Sequence, residues 1–139
     1  MVAPDALTPA DAWLGTGIRF PLQPGGPAGP AGGIAWLSGM ELVRQSVETI
    51  VDTEPGERVM RPTFGAGLRR YLMAPNTTAT RAAIRQEIAD ALERGEPRIL
   101  VTNVSVTPGD EPTLVWIDIA YVRRVDLRPD NLVYPFYLR

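Results

Sequence analysis

The stretch Glu93-Arg94-Gly95-Glu96-Pro97-Arg98-Ile99 is where a helix must end and a strand begin. Gly95 suits the left-handed position just past a helix end. Pro97 cannot continue the helix and turns Glu96 toward an extended backbone. An acid and an arginine therefore flank a proline on a stiff corner, with directions set by the backbone. Arginine and carboxylate pair bidentately, so such a corner can be a structural clamp or a docking point for a partner. The residues leave both readings open.

Working upstream, Thr78 to Arg94 carries an apolar stripe of Ile84, Ile88, Ala91 and Leu92, and Asn76 or Thr77 is placed to cap its start. Before it, 67–72 predicts one or two helical turns, and Thr53-Glu54-Pro55-Gly56-Glu57-Arg58 a type II turn with Pro55-Gly56 at its centre. Ser38-Gly39-Met40-Glu41 matches a capping box, and Met40, Val43, Val47 and Ile50 follow at helical spacing. This predicts a helix from Gly39 to Asp52. Short strands are expected at 17–22 and 33–37. Between them, 24–33 holds five glycines and three prolines and is expected to be a flexible loop. Residues 1–14 are expected to form a poorly ordered arm, leaving a domain over 15–139.

Downstream, Ile99 to Val106 is a strand whose apolar phase shifts near Thr102-Asn103, the mark of a bulge. In Thr113 to Val122, Val115, Ile117, Ile119 and Tyr121 share one face, and the other face is also largely apolar. Such a strand is central in its sheet or covered by a partner. Arg123 to Asn131 reads as a polar connection. The ending Leu132-Val133-Tyr134-Pro135-Phe136-Tyr137-Leu138 is dense in aromatic and aliphatic side chains. Pro135 makes it an edge strand, packed on its own core or offered to another chain.

Composition narrows the chemistry. The 139 residues fit one domain, 45% of them are apolar, and the net charge of −2 gives no basic footprint for nucleic acid. Neither Cys nor His is present, which removes disulfides, thiol nucleophiles, imidazole bases and nearly all zinc chemistry. No membrane span, secretory signal, cofactor or metal is expected. All 14 basic residues are Arg, each a planar fork suited to carboxylates. Glu54 with Glu57, or Asp118 with Asp126, are the carboxylate pairs a hydrolase reading would nominate, but neither has a recognisable site context.

The order of these segments resembles a known family. The strand at 17–22, Thr53 to Arg58, Pro62-Thr63-Phe64-Gly65, Glu96-Pro97-Arg98-Ile99 and Tyr134-Pro135-Phe136 look like the small baseplate wedge protein of contractile tails. That family includes the phage wedge subunit, TssE of type VI secretion and the matching subunit of phage-tail-like injection particles. The likeness runs from Gly15 to Leu138. It implies an α+β fold, a single domain with a small mixed or antiparallel sheet packed against two main helices, similar to a sheath attachment domain. It implies a structural, non-enzymatic role: joining the larger wedge subunits around the central spike, hub or tube, and seating the first sheath ring. Glu96, Pro97 and Arg98 match the signature implicated in wedge assembly, and Gly56, Glu57 and Arg58 match a second. Val133, Tyr134, Pro135, Phe136, Tyr137 and Leu138 become the strand facing the sheath. Assembly is expected in the bacterial cytoplasm, without nucleic acid or membrane insertion. Because some members carry a lysozyme-related label, a tail-associated peptidoglycan hydrolase is the alternative. A generic self-associating domain is a third reading.

Overall fold

The computed structural model describes residues 11–22, 24–26 and 33–138. Its contacts gather into two compact units, Met1–Val47 and Glu48–Arg139. The architecture is α+β, as the sequence predicts.

In the first unit, a 3-10 turn at Ala12–Leu14 buries Leu14. Strand β1 (Thr16–Ile18) pairs antiparallel with β4 (Trp36–Ser38). β1 is shorter than the strand expected over 17–22. The Gln45 side chain accepts from the Phe20 N–H at 2.7 Å and donates to the Ile18 carbonyl at 2.9 Å, doing there what a strand partner would do. Phe20 and Leu22 are exposed. Within the Gly/Pro segment, β2 (Pro24–Gly26) pairs with β3 (Gly33–Ile34). The rest of the expected loop, and most of the expected arm, lie outside the described residues.

β4 runs straight into helix α1 (Gly39–Asp52), and Gly39 makes that corner at φ 63°, where glycine is favoured. The helix spans the predicted residues. Val43, Val47, Ile50 and Val51 are buried along it.

In the second unit, helix α2 (Thr78–Gly95) packs on β5 (Ile99–Pro108), which opens an antiparallel sheet of order β5-β6-β7. Here β6 is Leu114–Arg123 and β7 is Pro129–Tyr137. Thr77 caps α2, its hydroxyl accepting from the Thr80 N–H at 3.2 Å. The stripe Ile84, Ile88, Ala91 and Leu92 is buried. Opposite it, Val115, Ile117, Ile119 and Tyr121 of the central strand are buried too. The register slips between Val101 and Asn103, where the Thr102 hydroxyl bonds the Ala120 carbonyl. That is the predicted bulge. β7 begins earlier than the terminal strand read from composition: Pro129 and Asp130 already pair with Val122 and Tyr121. The polar connection reduces to a tight turn at 124–128.

Candidate interaction site at the Glu96–Arg98 corner

Glu96 closes α2, its N–H bonding the Leu92 carbonyl at 2.9 Å, and its backbone then swings to φ −128°, ψ 86° ahead of Pro97. This is the extended geometry a following proline demands. The Glu96 side chain is only 2% exposed. Arg98 meets it across the proline with a two-pronged contact, Nε to Oε1 and NH2 to Oε2, both at 2.6 Å. Hydrogen bonding to Glu96 raises the Arg98 pKa above its ordinary value, against burial, which lowers it; the carboxylate's charge adds to the rise. The two charges at the corner thus hold each other.

A third residue secures the corner. Arg124, from the turn after β6, donates its backbone N–H to the Arg98 carbonyl at 3.0 Å and its Nε to the Pro97 carbonyl at 3.0 Å. Its NH2 reaches the Ile99 carbonyl at 3.3 Å. Sequence reasoning placed Arg124 in a polar connection. No local pattern could have found it, because its partners lie more than twenty residues away.

Gly95 differs from the expectation. It belongs to α2, not to a left-handed position beyond it, and its φ is not positive. Glycine is required for closeness: a Cβ here would stand 3.0 Å from Ile50 Cδ1 and 3.6 Å from the Phe64 ring.

The second signature forms the predicted turn. Gly56 takes φ 86° and the Glu57 N–H bonds the Glu54 carbonyl at 3.1 Å. The Glu57 carboxylate accepts from the Glu54 N–H at 3.0 Å and lies 3.8 Å from Arg69. Arg58 stacks on Phe64, 3.9 Å from the ring centroid. Neither Glu57 nor Arg58 bonds Glu96 or Arg98 among the described residues. The link is indirect, through Phe64 and Gly95. Beyond Phe64 the chain returns to the end of α1, where the Ala66 N–H satisfies the Ile50 carbonyl at 3.0 Å.

The carboxylates that a hydrolase reading nominates make contacts of different kinds. Glu54 Oε1 accepts from the Arg69 N–H at 2.9 Å, and Glu57 is engaged as above. Asp126 is held by Arg123, which keeps its carboxyl below the usual range, while Asp118 sits mid-strand opposite Ser105 and Val133.

On β7, alternate residues divide. Val133, Pro135 and Tyr137 are exposed, whereas Tyr134 and Phe136 are half-buried. Tyr134 donates its hydroxyl to Asp52 at the end of α1. Leu138 is 2% exposed and turns into the core, unlike the exposed residues of the strand before it. Among the described residues no strand pairs with the outer edge of β7.

Residues 37–127 match the model of the baseplate wedge protein gp25 family, and the chain belongs to that family. Solved structures agree. A Geobacter sulfurreducens protein named as a candidate tail lysozyme is 39% identical, with a TM-score of 0.66 over 72% of this chain and 91% of its own. A chain of the anti-feeding prophage baseplate is 26% identical, with a TM-score of 0.64 over 93% of this chain and 90% of its own. A chain of the post-contraction pyocin R2 baseplate is 32% identical, with a TM-score of 0.50 over 83% of this chain and 98% of its own. No curated protein sequence matches this chain.

Proposed function

We propose that this protein is a structural wedge component of a contractile injection machine. It joins the larger wedge subunits around the spike and tube and seats the first sheath ring. The observation that carries this reading is the likeness to the anti-feeding prophage baseplate chain, which takes in 93% of this chain. In this reading Glu96, Pro97 and Arg98, with Gly56, Glu57 and Arg58, form the wedge-facing side. The exposed row Val133, Pro135, Tyr137 and the open edge of β7 face the sheath. Assembly takes place in the bacterial cytoplasm, and the protein has no catalytic role.

Reconstitution with the purified larger wedge subunits of the same particle tests this directly. A stoichiometric complex is the expected result; failure to form any complex would sink the proposal. Exchanging the two charges, Glu96→Arg with Arg98→Glu, probes the corner itself, and retention of both the fold and wedge binding would remove it from the interface. For the sheath side, amide exchange along β7 should slow when sheath protein is added.

The Geobacter relative favours a second reading, a peptidoglycan hydrolase carried by the tail. Zymography on cell wall separates the two. Lysis by the purified protein that disappears in Glu54→Gln or Glu57→Gln would replace the structural assignment. We expect none, because both carboxylates already accept from backbone N–H groups.

A further inference from the structure

Among the described residues only two non-glycine positions adopt positive φ, Met60 at 67° and Leu127 at 56°. Side chains of this size disfavour that region, which glycine or asparagine occupies more readily. Both are also conspicuously uncovered, Met60 at 92% and Leu127 at 62% exposure. Each has an exposed valine close by in sequence, Val59 and Val125. Backbone strain and exposed apolar surface thus coincide twice, although a glycine would relieve both at once.

Both loops touch the corner. Met60 lines a cleft with Phe64, Arg94 and Gly95, just before Glu96. Leu127 lies in the turn whose Arg124 holds the Pro97, Arg98 and Ile99 carbonyls. Its N–H is tied to the Arg123 carbonyl at 2.8 Å, which fixes the strained residue in place. The cations beside these side chains add charge of one sign. The Arg94 and Arg128 guanidinium groups pair with no carboxylate among the described residues, although the Arg128 backbone N–H donates to Asp126, whereas the corner's own acid, Glu96, is already engaged by Arg98.

The geometry points to a docking surface with two apolar fingers, Val59-Met60 and Val125/Leu127, on either side of the corner, flanked by Arg94 and Arg128. It fits an acidic amphipathic segment of another baseplate subunit. That segment buries apolar side chains on the fingers and brings carboxylates to the arginines. Strain held at exposed residues has this sense when the side chains are kept for a partner and not for the fold. The internally paired Glu96–Arg98 corner then acts as the rigid mount between the fingers. This surface rests on the wedge reading proposed above and names the chemistry its partner must carry.

The test uses the full-length chain and the purified larger wedge subunits of its own particle. The double variant Met60→Gly with Leu127→Gly removes the strained side chain of each finger while suiting its backbone. We expect about a tenfold or greater loss of affinity. The melting temperature should hold or rise, with any fall staying within about 3 °C. Arg94→Glu with Arg128→Glu should weaken binding as well and flatten its dependence on salt. Binding by the glycine variant within about twofold of wild type would overturn the surface while leaving the wedge assignment standing. A clear drop in melting temperature would overturn it too, since the side chains would then serve the fold. Wild-type self-association lost in the glycine variant would give the surface to a second copy and overturn the heteromeric partner. Absence of any wild-type binding to the wedge subunits would instead sink the wedge reading, and the surface with it.

Discussion

A carboxylate as enclosed as that of Glu96 needs donors for both oxygens, and Arg98 supplies them in one planar fork. Arg98→Ala should therefore lower unfolding free energy by about 3 kcal/mol in urea titration, and Arg98→Lys should recover only part of it, because an ammonium cannot span both oxygens. Two glycines nearby behave oppositely. At Gly65 the backbone sits at φ 112° and an added Cβ would fall 2.2 Å from the Thr53 carbonyl oxygen. Gly65→Ala should cost at least about 2 kcal/mol by the same measurement, since the obstacle is backbone. At Gly95 the obstacle is the flexible tip of Ile50, and alanine gains about 1 kcal/mol of helix propensity, so Gly95→Ala should come out near neutral. Sequence alone shows two glycines beside helix ends. It cannot show which one faces a carbonyl and which a methyl, because both neighbours come from distant segments.

The helices and the central strand were legible because their signals are local and periodic. The spacing from Met40 to Ile50 returned α1 with its ends, and the alternation Val115, Ile117, Ile119, Tyr121 returned β6 with its buried face. The phase slip in β5 disclosed its bulge for the same reason. The cap of α2 was readable too, and Thr77→Ala should lower the melting temperature in proportion to about 1 kcal/mol, with Thr77→Asn close to wild type. The weaker elements were decided elsewhere. β1 stops after Ile18 because Gln45, far along the chain, takes over its backbone groups. β7 begins at Pro129 because β6 offers a partner in register, although Asp130 and Asn131 are poor strand formers.

Within the second unit, Tyr134 joins β7 to the last residue of α1 through its hydrogen bond to Asp52. Burial, the bond to Asp52 and the nearby charges of Asp52 and Glu48 all favour the neutral phenol, so its pKa stands well above the ordinary 10.0. A raised folded-state pKa means the contribution is complete below pH 10 and is lost as pH climbs toward the folded value. The stability difference between wild type and Tyr134→Phe should therefore be constant from neutral pH to about pH 9 and shrink above about pH 10, as followed by urea unfolding. A difference that grows in alkali would contradict the bond. The sequence by itself determined the α+β class, the two main helices, the central strand and the ordered motifs that place the chain among baseplate wedge proteins. It could do so because periodicity, caps and turn residues act over a few neighbours. Only the tertiary structure decided that the corner's charges hold each other, that Arg124 secures them, that Leu138 is core, and that Met60 and Leu127 stand strained and exposed beside the corner. Those outcomes depend on which distant backbone groups meet, and a one-dimensional pattern of residue types does not encode that meeting locally.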